Sequence, residues 1–187
     1  MKCTNCDIGL LKLDLIENLF PAFTCSSCSG NWILIDNYAI WKTNNPKFKF
    51  SNDDGITESE FKQFDNNKAL ICPISGSIMQ KISISAINQH KINYSAKAGG
   101  LWLYKGEWSY LKKEGLAGSL NTLLTKHQQN IIKQDNARNH FSKIYQEKFG
   151  SQSYTKIKEL REWLSNHEKK IGLKAYLFAE DPYSANK

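Results

Sequence analysis

The stretch Cys3-Thr4-Asn5-Cys6, followed after eighteen residues by Cys25-Ser26-Ser27-Cys28, decides how the beginning of this chain folds. Two residues between paired cysteines allow a tight turn that aims both sulfurs at one point. Four thiolates from two such turns form a tetrahedral metal site, for which zinc is the usual ion. The sequence therefore predicts one structural Zn²⁺, held by Cys3, Cys6, Cys25 and Cys28.

The residues around the cysteines predict a small three-stranded sheet. From Leu11 the chain alternates apolar and polar residues, which is typical of a half-buried strand. A turn at Glu17-Asn18 leads to a return strand over residues 20–24, and residues 32–35 form a third strand. We expect N–H groups of the two turns to donate to the sulfurs, and Gly30 to relieve crowding there. The result is a zinc ribbon, whose small core makes its folding depend on the metal.

Other uses of these cysteines are disulfides or free thiols, a redox-active Cys-x-x-Cys pair, and rubredoxin-type iron. A redox pair would need a thioredoxin-like βαβ pattern, which does not surround them. Cys3 and Cys6 lie where the basic and apolar regions of a secretory signal peptide would be. We therefore expect a cytoplasmic protein, because paired cysteines in a reducing compartment more often bind metal than form disulfides.

Composition and charge place the basic residues far from the cysteines. The chain has 187 residues, enough for one or two domains, and no apolar run long enough to cross a membrane. Its net charge is +7, yet residues 1–41 carry two basic and four acidic residues, whereas residues 116–187 carry twelve and seven. Lysine supplies nearly all of the positive charge, and the two arginines are Arg138 and Arg161. This scarcity of arginine argues against base recognition in the major groove.

The sequence then repeats itself over residues 71–115. An alternating run over residues 78–87, a turn near residues 88–90 and a return strand over residues 91–94 reproduce the hairpin. Shifts of 69 and 70 residues place the four cysteines and Trp32 on Cys72, Ser75, Ser95, Ala98 and Trp102. Serine and alanine cannot replace thiolates, and His90 is expected at the hairpin tip, far from the turn. We predict that this second copy holds no metal and is stabilised by packing instead.

The remaining segments are a linker and a helical region. Residues 42–70 are polar and turn-rich, with one helical turn predicted from Thr57. Helices are predicted over residues 106–114, 119–149 and from Ser153 to about Gly172. The predicted fold class is α+β, with two three-stranded ribbon-like units before a helical region: residues 1–41 ribbon with metal, 42–70 linker, 71–115 repeat without metal and 116–187 helices.

With both copies laid out, the pattern resembles the bacterial TFIIB-type zinc-finger family, which typically shows Cys-Pro-x-Cys-Gly, a hairpin and Cys-x-x-Cys-Gly-Gly-x-Trp-Leu-Asp-x-Gly-Glu. The first copy keeps all four cysteines and Trp32 but has Ser29-Gly30 for the double glycine. The second keeps Cys72-Pro73, Gly99-Gly100 and Gly106-Glu107 and lacks three ligands. The resemblance covers about residues 1–37 and 72–108. It implies zinc binding and, more loosely, a link to transcription, and it leaves the helical region unexplained.

These features favour a protein that is not an enzyme. A closed site with four cysteine ligands is typical of structural zinc, because catalytic zinc keeps an open coordination position. His127 and His140 are thirteen residues apart and do not share a helix face as a ligand pair would. We predict a zinc-binding module that docks a protein partner, and the transcription machinery is one setting for it. We expect no membrane association and no small-molecule substrate. The alternative is direct nucleic-acid binding by the basic C-terminal half, where alternating lysine and glutamate are also typical of a solvated helix face.

Overall fold

A computed structural model of the protein describes residues 1–6, 8–51, 68–86 and 90–183. Its strands are β1 (Leu11–Ile16), β2 (Phe20–Cys25), β3 (Asn31–Leu34), β4 (Gln80–Ser83), β5 (Lys91–Ser95) and β6 (Gly100–Leu103). Its helices in these ranges are α1 (Ile35–Asn44), α2 (Glu107–Lys113), α3 (Leu120–Leu123), α4 (Lys126–Phe149), α5 (Ser151–Asn166) and α6 (Lys170–Phe178). The predicted α+β class is confirmed. The helical turn predicted from Thr57 lies outside these ranges. The turn predicted near residues 88–90 also lies outside them, except for His90.

The first half of the sheet has the predicted strand order. β1 pairs with β2 from Leu11 opposite Cys25 to Ile16 opposite Phe20. Glu17 and Asn18 both have left-handed φ angles, of 49° and 59°, and the Leu19 N–H donates to the Ile16 carbonyl at 2.8 Å. Two left-handed residues match the right-handed twist of the flanking strands, which explains why the hairpin turns here.

The two halves form one antiparallel sheet with the order β1-β2-β3-β6-β5-β4. The third strands of the two copies, β3 and β6, pair so that Trp32 lies opposite Trp102. Because equivalent residues face each other across an antiparallel pair, the copies are related by a local two-fold axis at the tryptophans. The repeat seen in the sequence is therefore one continuous sheet.

Two glycines allow the tryptophans to pack at this junction. A Cβ on Gly30 would lie 2.4 Å from Cζ2 of Trp102, and one on Gly100 would lie 2.3 Å from Cζ2 of Trp32. Both indole rings are fully buried. Gly30 therefore accommodates a tryptophan of the other copy, and the expectation that it relieves crowding beside the sulfurs is replaced by this contact.

Helices cover one face of the sheet. α1 begins directly after β3, and no sequence pattern predicts it, because its apolar residues do not form one stripe. Its Tyr38 is fully buried, packs edge-on against Phe20 at 5.5 Å and donates to the Ala117 carbonyl at 2.9 Å. Phe20 also contacts Trp108 of the second copy, at 5.5 Å. Aromatic residues of both copies thus share one core.

Two predicted helices are interrupted. The helix expected over residues 119–149 divides into α3 and α4, because the Thr125 hydroxyl donates to the Thr122 carbonyl and accepts the Gln128 N–H, which ends one helix and starts the next. The helix expected from Ser153 begins at Ser151 and ends at Asn166, and α6 follows separately. Gly150, with φ of 78°, separates α4 from α5 as expected.

The chain divides into two compact units, Met1–Asn136 and Ala137–Lys187. The first contains the whole sheet with α1 to α3 and the start of α4, and the second contains the rest of α4 with α5 and α6. In the described part of the chain, none of the helices is long and apolar enough to cross a membrane.

We expect Gly100→Ala to lower the free energy of unfolding by about 1–3 kcal/mol, the usual cost of overpacking a core. The added methyl group would overlap the Trp32 ring, which is fully buried and packs against the second copy. Urea unfolding followed by tryptophan fluorescence measures the change. Gly118→Ala is the control, since its nearest neighbours are 4.0 Å away. Equal stability of the Gly100 variant and the wild type would show that this junction tolerates a side chain.

Candidate metal centre

The four cysteines predicted from the sequence meet at one end of the sheet. Their Sγ atoms all lie within 4.8 Å of one another. The shortest separations join the two turns, at 3.6 Å between Cys3 and Cys28 and 3.6 Å between Cys6 and Cys25. Cys3 and Cys25 are buried, whereas Cys6 and Cys28 are partly exposed. Strand β2, which ends at Cys25, positions the second turn. The first turn is positioned by a hydrogen bond of 2.9 Å from the Cys3 N–H to the Gly9 carbonyl.

Backbone N–H groups point at the sulfurs, as expected for cysteine turns of this kind. Asn5 N–H lies 3.3 Å from Cys3 Sγ, Gly9 N–H 3.4 Å from Cys6 Sγ and Ser27 N–H 3.4 Å from Cys25 Sγ. Such donors stabilise thiolates. The turns are therefore arranged to hold negative charge.

The thiols differ in how readily they ionise. Burial raises the pKa of Cys3 well above its ordinary value and also raises that of Cys28. Burial opposes ionisation of Cys6 too, but N–H donors at Gly9 and Ile8 and the neighbouring thiols lower its pKa to about 6. The Cys6 thiolate thus forms easily while Cys3 and Cys28 resist ionisation, and a bound cation would favour the ionised form of all three.

The donor set fits a tetrahedral metal ion. Four sulfurs about 2.3 Å from a central zinc would be separated by about 3.8 Å, and the observed 3.6 Å is close to this value. The same separation is far longer than the roughly 2.05 Å of a disulfide, and all five cysteines are free. The arrangement is thus suited to a metal ion with four protein ligands and no open position.

Gly9 is a residue of the site that the sequence patterns did not single out. Besides its N–H contact with Cys6, a Cβ at this position would lie 2.3 Å from Cys25 Sγ and 3.2 Å from Cys6 Sγ. Its φ angle is not in the left-handed region, so the glycine is required for space rather than for conformation. The sequence signal that could have identified Gly9 is its position three residues after Cys6, the second cysteine of the first turn.

The second copy repeats the backbone of the cysteine turns with only one of the four cysteines. The Ser75 N–H donates to Cys72 Sγ at 3.3 Å, and the Ala98 N–H donates to Ser95 Oγ at 3.3 Å, as the Cys28 N–H does to Cys25 Sγ in the first copy. Burial opposes ionisation of Cys72, but hydrogen bonds from Ser75 and Ser95 lower the pKa of its thiol. The serines therefore occupy ligand positions around the buried Cys72.

A buried contact between a histidine and a glutamate lies elsewhere in the second copy. His90, expected at the hairpin tip, is only 9% exposed, and its Nε2 lies 2.9 Å from Oε1 of Glu107, which is fully buried. The other carboxylate oxygen of Glu107 accepts the Tyr104 N–H at 2.7 Å, before α2 begins. Residue 20, the equivalent of His90 in the first copy, is phenylalanine. This contact joins the residue before β5 to the first residue of α2 and has no counterpart in the copy with four cysteines.

The other histidines do not extend the site. His127 and His140 lie on α4, and His167 follows α5 and packs against Trp163 at 5.0 Å. Among the described residues, the four cysteines are the one group of three or more potential metal ligands that come together. A comparison of the chain with protein-family models, curated proteins and solved structures found no match. The resemblance to TFIIB-type zinc fingers therefore stays a prediction.

Restoring the missing ligands should create a second metal site. We expect the triple variant Ser75→Cys, Ser95→Cys, Ala98→Cys to bind one more metal ion per chain than the wild type, because the turns around Cys72 already have the required backbone. Elemental analysis of the purified protein gives the ratio. The same triple variant carrying Cys72→Ser is the control and should lose most of the gain. An unchanged ratio in a folded triple variant would show that the two sets of turns differ in geometry.

Proposed function

We propose that the protein is a non-enzymatic zinc-binding module that docks a protein partner through its C-terminal helices. The zinc would be held by Cys3, Cys6, Cys25 and Cys28, as the sulfur separations and the N–H donors support. A zinc ion with four thiolate ligands carries a net charge of −2 and has no free position for a substrate. Its role in this proposal is to hold the first turns and strands in place.

The surface of the second unit is the observation that carries the docking proposal. Among its described residues, Leu164 is the one large apolar side chain that is buried. Eleven others are exposed by 40% or more: Phe141, Ile144, Tyr145, Phe149, Ile157, Trp163, Ile171, Tyr176, Leu177, Phe178 and Tyr183. Apolar side chains at this density on an exposed surface mark an interaction site.

Direct nucleic-acid binding is the alternative, favoured by the basic residues of the same helices. Ten basic and six acidic residues lie between positions 137 and 187. Phosphate contacts would use these charges and leave the apolar side chains exposed. The protein-docking proposal accounts for both features and is therefore preferred.

Zinc binding is tested by elemental analysis of protein purified without added metal. We expect one zinc per chain, loss of that zinc in Cys25→Ser and retention in Cys72→Ser, which removes an equally buried thiol outside the site. The Cys25 variant should lose at least about 3 kcal/mol of the unfolding free energy of unit Met1–Asn136, a fraction of what structural zinc contributes in zinc-finger peptides. Iron in place of zinc, or zinc retained in Cys25→Ser, would contradict the assignment.

Docking is tested by affinity capture of tagged full-length protein from its native cells. We expect Phe141→Ser/Ile157→Ser to lose the proteins that the wild type captures, because both side chains are exposed on the helical unit. Ile74→Ser/Ile78→Ser, which changes two exposed isoleucines of the first unit, is the control. Nuclease treatment should leave capture unchanged. Loss of the captured proteins after nuclease treatment would favour the nucleic-acid alternative. Equal capture by Phe141→Ser/Ile157→Ser and the wild type would refute docking at this surface.

A further inference from the structure

A cleft between α4 and α5 gathers both arginines of the chain. Arg138 on α4 and Arg161 on α5 line it, together with Lys158 and one acidic residue, Glu162. The other basic residues of this lysine-rich protein include no arginine. All residues that line the cleft belong to the second unit.

The cleft is formed by one stripe of side chains from each helix. On α4 the stripe follows three- and four-residue steps: Arg138, Phe141, Ser142, Tyr145 and Phe149. On α5 it does the same: Tyr154, Ile157, Lys158, Arg161 and Ser165. The helices are connected at Gly150, and near this turn the hydroxyls of Ser142 and Tyr154 are 2.8 Å apart.

Farther along the stripes, the facing side chains do not cover each other. Phe141 is 56% exposed and Ile157 is 61% exposed, although each lines the cleft. The cleft has a volume of about 1020 Å³, at the upper end of small-molecule pockets, but it does not enclose a ligand as those pockets do. Its elongated shape and apolar floor suit a rod-like segment, such as a helix, that lies between α4 and α5.

We propose that this cleft binds an amphipathic helix of a partner protein whose acidic residues lie at one end. The proposal rests on the docking function proposed above and specifies its partner. Apolar side chains of the bound helix, spaced at three and four residues, would cover Phe141, Tyr145 and Ile157. Its carboxylates would reach Arg138 and Arg161.

The position of the arginines explains why the acidic residues belong at one end. Arg138 lies twelve residues before Gly150 and Arg161 eleven residues after it, so both are near the open end of the helical hairpin. The apolar floor extends from there toward the turn over about 17 Å, or about three turns of helix. The planar guanidinium group binds carboxylates with two parallel hydrogen bonds, which a lysine cannot do.

The aromatic rings of the unit disfavour a nucleic acid as the occupant. Tyr145 stacks on Phe149 at 5.8 Å and 7°, and Lys148 Nζ lies 5.5 Å from the centre of the Phe149 ring. Trp163 packs against His167, and the Tyr154 hydroxyl is hydrogen-bonded. Bases bound in single strands need free ring faces, and Tyr145, Phe149 and Trp163 each already have one ring neighbour.

The charge of the unit also disfavours a second copy of this chain. The segment from residue 137 to residue 187 has four more basic than acidic residues. Two such units would repel each other when their clefts meet. An acidic helix from another protein satisfies both the apolar floor and the arginines.

The test titrates full-length protein into a fluorescein-labelled synthetic helical peptide, followed by anisotropy. The peptide has about 14 residues, with leucines at i, i+3, i+4 and i+7 and two glutamates at one end. A second peptide has lysines in place of the glutamates, and labelled oligothymidine is the third probe. We expect the acidic peptide to bind about tenfold or more tightly than either other probe.

Arg161→Glu should weaken binding of the acidic peptide about tenfold or more and strengthen binding of the lysine peptide. Lys156→Glu, the same charge change on an exposed residue of α5 outside the cleft, should alter either affinity less than about twofold. The gain for the lysine peptide shows that the Arg161 variant remains folded.

Equal affinity for the two peptides, equal loss in Lys156→Glu, or tighter binding of oligothymidine would overturn the acidic-helix assignment. If Phe141→Ser/Ile157→Ser then releases both peptides and the captured cellular proteins, the acidic partner is wrong and the docking function stands. If that variant changes neither, both proposals fail.

Discussion

The reciprocal contact between two tryptophans and two glycines is the constraint on which the first unit depends. Trp32 lies over Gly100 and Trp102 lies over Gly30, so each copy of the repeat supplies a ring and a space for the other. A copy by itself would expose its indole ring and the edge of its third strand. The six-stranded sheet is therefore the smallest arrangement that buries both indole rings and pairs both third strands. A substitution at this junction in either copy is expected to destabilise both.

This shared core explains how the two copies could diverge. The first keeps four cysteines near the ends of its strands, and the second has serine and alanine at three of these positions. The second has instead a buried contact between His90, before β5, and Glu107 of α2. Once β3 and β6 hold the copies together, stabilisation of one half supports the other. The second half can thus rely on packing and the buried contact between His90 and Glu107, where the first gathers potential metal ligands.

Much of the sheet could be predicted because its signals are local. The turn at Glu17-Asn18 and the cysteine spacing each need only a few neighbouring residues. Alternation from Leu11 predicted the strand itself, but not its burial, because Leu13 and Leu15 are exposed. The pairing of β3 with β6 could not be predicted, since it joins residues 70 positions apart, although glycine precedes tryptophan by two residues in both copies. α1 was missed because its apolar residues form no stripe, and Gly9 because its role depends on where Cys25 Sγ lies.

The two units differ in how they use apolar side chains. In the first, aromatic residues such as Phe20, Tyr38 and Trp108 are enclosed by both copies and the helices. In the second, two helices meet near Gly150 and leave their facing stripes half exposed. Since burial of apolar area is the main driving force of folding and association alike, the first unit has used most of that free energy to fold. The second retains it, and a partner helix between α4 and α5 would release it on binding.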